Sequence, residues 1–242
     1  MKNVISDKVL GLQPSGIRKF FDIVSEMDDV ISLGVGEPDF DTPWHIRDEG
    51  IYSLERGRTF YTSNAGLKEL REEICRYLSR RCKVDYTIDE TLITVGGSEA
   101  IDLAMRVLLN PGDEVLTFAP YFGEYRAYVT NYDGILKEVE PDTETFQPNL
   151  KKFEQMLSEK TKAVIVNTPN NPTGVVYSEA TIQKMAAILE TKQKEFGTSI
   201  YLISDEPYRE LAYDGVEVPY LTKYYRNTIV GYSFSKSLSL PG

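Results

Sequence analysis

The sequence predicts an α/β fold in which one mostly parallel sheet lies between two layers of helices. From residue 91 onwards, short apolar runs of strand length alternate with segments of helical period. These apolar runs are continuous, as expected for strands whose two faces are both covered. Together the two observations predict a three-layer α/β/α domain.

The region before residue 91 is predicted to be mainly helical. Residues 1–30 are expected to form an irregular arm and then a helix, and 30–40 a short strand that runs into a Gly/Pro turn. A helix over 44–56 and a loop over 60–66 precede an amphipathic helix that begins near Leu67. The apolar stripe of the first helix consists of Ile17, Phe20, Phe21, Ile23 and Val24.

The alternating region contains six predicted strands and three main helices. The strands are 91–95, 114–118, 135–139, 163–167, 200–204 and 228–232. The helices are 98–109, 148–159 and 178–195. There is no internal repeat or long linker.

Composition and charge exclude several classes of protein. The net charge of −10 argues against a nucleic-acid-binding surface, which needs clustered Lys and Arg. The N-terminus lacks an apolar signal core, and no apolar run approaches ~18 residues. The sequence therefore predicts a cytoplasmic protein.

The cysteines and the single histidine predict neither a disulfide nor a metal site. Cys75 and Cys82 lie on one face of a predicted helix, about 10 Å apart, too far for a disulfide. Neither has a CxxC partner, so we interpret both as buried or half-buried thiols in a reducing compartment. His45, alone in the chain, is expected at a helix terminus or on the surface, so another residue is expected to transfer protons.

Unusual short motifs follow five of the predicted strands. The carboxyl ends of parallel strands meet at one crevice, where ligands of such folds bind. Five motifs at one crevice therefore predict a binding site. The motifs are Gly96-Gly97-Ser98-Glu99, Pro120-Tyr121-Phe122, residues 167–174, Asp205-Glu206-Pro207-Tyr208 and Ser233-Phe234-Ser235-Lys236.

Two of these motifs predict charge recognition. Gly97 and Ser98 at a helix start form a small anion cradle, although a glycine turn with a serine cap has the same sequence. Asp205 follows an apolar run, where a buried carboxylate is costly without a partner. A cationic ring nitrogen would supply that partner, and the alternative is a cap for a following helix.

The remaining candidates are a lysine, an amide and three aromatic residues. Lys236, just past a strand, is either a desolvated amine that forms a Schiff base with an aldehyde or a surface charge. Asn171 lies in a rigid Pro/Gly loop, as a placed amide or as a turn former. Tyr208 follows Asp205 by one helical turn, so it is either a hydroxyl that faces the same crevice or a packed aromatic. Phe122 is either a flat apolar platform for an aromatic cofactor or a core residue. Tyr61 lies in a polar loop, and its hydroxyl could reach a phosphate or nothing.

The motifs, in this order, resemble the fold-type I, class I/II pyridoxal-phosphate-dependent aminotransferases over essentially the whole chain. The residues that carry the resemblance are 36–40, 61–71, 96–100, 170–174, 205–208 and 233–236. The resemblance implies transamination, in which an amino acid gives its amine to the cofactor and a 2-oxo acid then collects it. It also implies an N-terminal arm and small-domain segment over 1–40 and an incomplete cofactor-binding large domain over 41–242.

The resemblance assigns a role to each candidate. Lys236 matches the Schiff-base lysine and proton carrier, and Asp205 matches the carboxylate that keeps the pyridine nitrogen protonated. Tyr208 and Asn171 match the hydrogen-bond partners of the phenolic oxygen. The other matches are Phe122 stacking on the ring, Gly97, Ser98 and Ser233 on the phosphate, Tyr61 on the phosphate of the neighbouring subunit of a homodimer, and Gly36 near the substrate carboxylate.

The sequence departs from the family after the lysine. The family pattern continues with a phosphate-binding arginine, an antiparallel strand and a C-terminal small-domain segment, whereas this chain stops at Gly242. The absent strand would lie between the first and sixth predicted strands. We therefore expect the 242 residues to be part of a longer polypeptide, or a truncated product that is inactive alone.

Two further functions fit the same motifs. The scaffold also carries out β-elimination, as in carbon–sulfur lyases, and cyclopropane-forming chemistry, and the substrate pocket decides among these reactions. An aminotransferase-like sensing module without catalysis is the third hypothesis. The arm before residue 30 is short for a DNA-binding helix-turn-helix and the charge is acidic, which disfavours the sensing module.

Overall fold

The computed structural model describes residues 4–11, 23, 27, 29–31 and 36–241. In these ranges helices α1 to α8 span Asp7–Gly11, Trp44–Glu55, Lys68–Cys82, Gly96–Leu108, Tyr125–Asn131, Leu150–Met156, Glu179–Phe196 and Phe234–Ser237. Strands β1 to β5 span Glu114–Phe118, Ile135–Val139, Thr161–Asn167, Tyr201–Asp205 and Thr228–Gly231. Short 3-10 turns cover Ile88–Glu90, Arg209–Leu211 and Leu221–Lys223.

The five strands form one sheet in the order β2-β1-β3-β4-β5, and every neighbouring pair is parallel. Successive side chains of the central strands point to opposite faces. Leu116 and Val164 pack with residues of α6 and α7, whereas Val115 and Ile165 pack with α4 and α5. Both faces of the sheet are therefore buried, which confirms the predicted three-layer α/β/α architecture.

Local sequence signals set the helix ends that frame the sheet. The Ser178 hydroxyl accepts a hydrogen bond from the Thr181 N–H at 3.1 Å and caps the start of α7. The helix ends at Gly197, whose φ of +65° is the left-handed conformation that glycine favours at this position. The Asn149 side chain caps α6 in the same way as Ser178 caps α7.

The strand predicted over 91–95 is wrong. This segment is extended but forms no ladder, and its Ile93 N–H bonds to the Ala65 carbonyl at 3.0 Å. A strand exists only where a neighbouring strand pairs with it. In the described ranges β5 pairs with β4 alone and stands at the sheet edge, where Ile229 is 37% exposed.

Several helix predictions need correction. The helix predicted over 148–159 is shorter, Leu150–Met156, and α5 was not predicted. After Asp205 there is only a 3-10 turn, so this residue is not the cap of a helix that begins at residue 206. The predicted arm contains α1, and residues 30, 31 and 36–40 form no strand.

Part of the N-terminal prediction cannot be compared with the structure. Residues 12–22, 24–26, 28 and 32–35, which include Ile17, Phe20, Phe21 and Val24 of the predicted apolar stripe, lie outside the described residues.

Both cysteines are free thiols, with Cys75 half-buried and Cys82 buried, as predicted. Among the described residues, no helix combines the length and apolar character needed to span a membrane.

Candidate active site

Asp205 ends the interior strand β4 and is only 9% exposed. Its Oδ2 accepts a hydrogen bond from the Tyr125 hydroxyl at 2.5 Å. Burial raises the pKa of Asp205 to about 6, the nearby Glu206 adds to the rise, and the hydrogen bond from Tyr125 opposes it. In the described part of the chain, no Lys, Arg or His forms an ion pair with this carboxylate. Asp205 is thus a buried acid that a bound cation would stabilise.

Tyr125 belongs to α5 and is fully buried. Burial, followed by the charge of Asp205, raises the pKa of Tyr125 well above its usual value. The hydroxyl is therefore protonated and acts as a donor to Asp205. The donor holds one carboxylate oxygen in place and leaves the other available to a ligand.

Asn167 and Asn171 connect the end of β3 to the end of β4. Asn167 pairs with Asp205 in the strand register, and its Nδ2 donates to the Asp205 carbonyl at 2.8 Å. Its Oδ1 accepts from the Asn171 N–H at 2.6 Å. The Asn171 Nδ2 in turn donates to the Tyr208 hydroxyl at 3.2 Å. Two predicted residues, Asn171 and Tyr208, therefore contact each other directly.

Phe122 lies against this group of polar residues. Its ring meets the Tyr125 ring edge to face, with centroids 5.7 Å apart and an interplanar angle of 83°. Tyr121 also packs on Tyr125, with the two rings stacked and their centroids 6.1 Å apart. Two aromatic rings after β1 thus pack against the ring of Tyr125, whose hydroxyl binds Asp205.

Lys236 lies in α8, directly after β5. The Ser233 hydroxyl caps this short helix by accepting from the Ser235 N–H at 3.2 Å. The half-buried Lys236 donates through Nζ to the carbonyl of Gly36. The structure therefore joins two predicted site residues that lie 200 positions apart.

Tyrosine hydroxyls tie the lysine-bearing turn to the rest of the fold. Tyr232 donates toward Glu210 at 2.9 Å and lies 2.8 Å from the Ser237 hydroxyl, the residue after Lys236. Tyr77 of α3 binds the other oxygen of Glu210 at 2.7 Å. These contacts restrict where Lys236 can point.

Gly97 and Ser98 lie in the first turn of α4, a helix of 13 residues. Gly96 has a φ of +75°, and an added Cβ at Gly97 would meet nothing within 4 Å. The space before the helix is therefore open to an anion. The Glu99 carboxylate accepts from the Val95 N–H and already satisfies one donor at this end.

Tyr61 is a predicted site residue that contacts none of the other candidates through a hydrogen bond in the described residues. Its side chain is fully exposed, on the segment between α2 and α3. Gly97 and Ser98 likewise form no hydrogen bond with the other candidates in the described residues.

Sequence reasoning missed Tyr125 and Asn167. Asn167 was quoted only as the start of a loop motif, although a polar residue at the end of an apolar strand is a usable signal. Tyr125 offered no such signal, because its contact with Asp205 joins residues 80 positions apart.

Comparison with known protein families identifies the class of protein to which this fold and this site belong. Residues 28–242 match the family model described as aminotransferase class I and II. The chain belongs to this family.

Named relatives agree with the family assignment. The chain is 43% identical to YugH of Bacillus subtilis, a protein named as an aminotransferase, over all of this chain and 62% of that one. It is 36% identical to an aspartate aminotransferase of Pyrococcus horikoshii, over all of this chain and 61% of the relative. The chain thus spans about three fifths of the length of the curated relatives it matches.

Solved structures give the same result. An aspartate aminotransferase of Thermus thermophilus, solved with maleate, superimposes with a TM-score of 0.90 at 33% identity, over all of this chain and 63% of that one. An aminotransferase of Eubacterium rectale gives a TM-score of 0.89 at 37% identity, over 99% and 64% of the two chains.

Proposed function

We propose that the chain carries the cofactor-binding part of a pyridoxal-phosphate-dependent aminotransferase, which moves an amino group between an amino acid and a 2-oxo acid. The observation that carries this proposal is Asp205, a buried carboxylate held by Tyr125 with no cationic partner among the described residues. A protonated pyridine nitrogen is a cation that could donate to the second carboxylate oxygen of Asp205. The residues around Asp205 therefore fit the cofactor.

When bound, pyridoxal phosphate supplies an aldehyde carbon that bonds to amines and a cationic ring that accepts electrons. Lys236 Nζ would be the amine that holds the cofactor, and it would carry a proton once released. Asp205 would hold the proton on the ring nitrogen. Asn171 and Tyr208 would supply hydrogen bonds for the phenolic oxygen, and Phe122 would stack on the ring.

The remaining residues position the two ends of the reactants. Gly97, Ser98 and Ser233 would hold the phosphate by N–H and hydroxyl groups near the amino end of α4 and the cap of α8. Gly36, whose carbonyl accepts from Lys236, would lie near the substrate carboxylate. Tyr61, fully exposed, would reach the phosphate of a neighbouring subunit in a homodimer.

The domain assignment and location belong to the same proposal. Residues 41–242 would form the cofactor-binding domain and 1–40 an arm that joins the small domain. Free thiols at Cys75 and Cys82 suit a reducing cytoplasm.

Reductive labelling tests the proposal. The purified chain is incubated with pyridoxal phosphate, reduced with borohydride, and mapped by mass spectrometry. We expect one label at Lys236, none in K236A, and normal labelling in K223A, which removes an exposed lysine from the 3-10 turn Leu221–Lys223 before β5. Label scattered over surface lysines would refute the assignment. Amine transfer to 2-oxoglutarate, as opposed to release of ammonia and pyruvate from cystathionine, separates transferase from lyase.

A further inference from the structure

Asn167 is a buried amide with a partner at both ends of its side chain. It is 4% exposed, donates to the Asp205 carbonyl at 2.8 Å and accepts from the Asn171 N–H at 2.6 Å. Both partners are main-chain atoms. Asn167 itself is no candidate for cofactor contact, so its function has to be exerted through other residues.

The position of Asn167 explains why a side chain is needed here. β3 and β4 pair up to Asn167 and Asp205, the last residues of each strand. Beyond these residues the two segments separate. The Asp205 carbonyl and the Asn171 N–H therefore have no partner in the β-ladder. Buried main-chain groups require partners. The Asn167 amide supplies both, because its Nδ2 binds across to the end of β4 and its Oδ1 binds the loop that follows β3.

The neighbouring Asn170 makes a different set of contacts. Asn170 Oδ1 accepts from the N–H and hydroxyl of Thr173, at 3.1 and 2.8 Å, and its Nδ2 donates to the Pro120 carbonyl after β1 at 3.5 Å, so Asn170 does not contact the end of β4. Asn167 instead joins two different strand ends. One side chain thus fixes where Asp205 and Asn171 lie relative to each other.

We propose that Asn167 is a positioning residue that sets the spacing between the carboxylate of Asp205 and the amide of Asn171. The inference rests on the proposed function, in which these groups contact the ring nitrogen and the phenolic oxygen of one cofactor ring. The ring nitrogen and the phenolic oxygen are separated by two ring carbons, so a small change in spacing weakens one contact or the other. The protonation of the bound cofactor depends on both contacts.

A cofactor-free measurement tests the contact itself. Hydrogen exchange of the Asn171 N–H, followed by NMR, should be about tenfold faster in N167A, which removes the acceptor. N167D keeps an acceptor oxygen and should retain protection. N227A is the matched control, because Asn227 donates to Gln193 at 2.8 Å near the amino end of β5. Equal exchange in wild type and N167A would overturn the inference.

The wild-type chain provides a test even if the variants do not fold. The side-chain amide of Asn167 should exchange much more slowly than that of Asn131, which is exposed. Similar rates for the two amides would also overturn the inference.

A second measurement tests the consequence for the cofactor. The pH midpoint of the absorption change of bound pyridoxal phosphate should shift by about one unit in N167A, the equivalent of a tenfold change in proton affinity, and stay unchanged in N227A. A merely structural role would lower stability without moving this midpoint. If the wild type is labelled at Lys236 but the midpoint does not shift in N167A, the role of Asn167 is refuted and the proposed function is not. Absence of labelling in the wild type would refute the proposed function, and with it this role.

Discussion

Five residues at the ends of β3, β4 and α5 form a connected group, whereas the residues assigned to the phosphate lie on three separate segments and are half-buried or exposed. The first group, here called the ring-side cluster, comprises Asp205, Tyr125, Asn167, Asn171 and Tyr208, all buried or half-buried and joined by hydrogen bonds. The second, the phosphate-side residues, comprises Gly97, Ser98, Ser233 and Tyr61. These share no hydrogen bond with one another in the described residues.

The difference follows from where each group is attached to the sheet. β3 and β4 have a paired neighbour on both sides, so their ends are fixed and can hold buried polar groups. The phosphate-side residues lie at the start of α4, after the edge strand β5 and on the segment before α3. Changes in the ring-side cluster should therefore alter cofactor affinity and stability together. Changes on the phosphate side should alter affinity alone and by less.

Replacement of the central carboxylate should have the largest effect. D205N removes the charge that pairs with the ring nitrogen, and we expect pyridoxal phosphate affinity to fall about 100-fold. Equilibrium dialysis of the cofactor measures this loss. An unchanged dissociation constant would contradict the role of Asp205.

The adjacent residue is a matched control for D205N. Glu206 binds Arg209 and Ser204 at 2.6 and 2.7 Å inside the fold. E206Q leaves the poorly exposed Arg209 without a charged partner and should cost about 3 kcal/mol of unfolding free energy with little effect on intrinsic cofactor affinity.

The pH dependence of stability should reveal the cost of burying the Asp205 charge in the ring-side cluster when no cofactor is bound. Burial raises the pKa of Asp205 to about 6 from a usual value of 3.8, so between these values the folded chain holds a proton that the unfolded chain releases. Stability is therefore lost as the pH rises through this window. D205N should match wild type near pH 4 and exceed it by about 3 kcal/mol above pH 6. Denaturant unfolding across this range measures the difference, and a constant gap would contradict the expectation.

Loss of the tyrosine donor should have an intermediate effect. Y125F removes the side-chain hydrogen bond to Asp205 and should weaken pyridoxal phosphate binding about tenfold. Since that hydrogen bond lowers the pKa of Asp205, the stability transition should also move to higher pH. Y225F is the control: its hydroxyl donates to the Ile200 carbonyl at 2.7 Å near the opposite end of β4. Y225F should lower stability by about 1 kcal/mol and leave cofactor affinity intact.

The same contrast shows what the sequence could predict. β1 and β2 were predicted to the residue, because their apolar runs and flanking turns are local signals. Residues 91–95 have similar local signals but no partner strand among the described residues, and pairing cannot be determined from the segment alone. α5 was missed because it is a short helix of seven residues with two tyrosines, a valine and a threonine, residue types that are enriched in strands.

In the site, the local motifs supplied Asp205, Tyr208, Asn171 and Lys236. The contacts that hold them were not predictable, because Tyr125 and Gly36 reach their partners only through the tertiary fold.

A substitution at a phosphate-side residue should affect binding of the cofactor's phosphate and leave binding of its ring unchanged. S98A removes one hydroxyl from the anion cradle and should weaken pyridoxal phosphate binding by a few fold, about 1 kcal/mol. Pyridoxal, which lacks the phosphate, should bind both proteins equally. S178A, which removes the cap of α7, should lower stability by about 1 kcal/mol with no change in affinity for either compound. Equal losses for the two compounds in S98A would place Ser98 away from the phosphate.

The smallest effect should come from Tyr61. Its side chain is fully exposed, so Y61F should change unfolding free energy by less than about 0.5 kcal/mol. If Tyr61 binds the phosphate of a neighbouring subunit, Y61F should weaken cofactor affinity only at protein concentrations at which the chain dimerises. Y213F, at another exposed tyrosine, should have no effect at any concentration. Binding titrations at several protein concentrations, with the mass measured by sedimentation, separate these cases. A loss of affinity in monomeric Y61F would mean that the tyrosine reaches the phosphate of its own chain, and the phosphate side would then assemble without a partner.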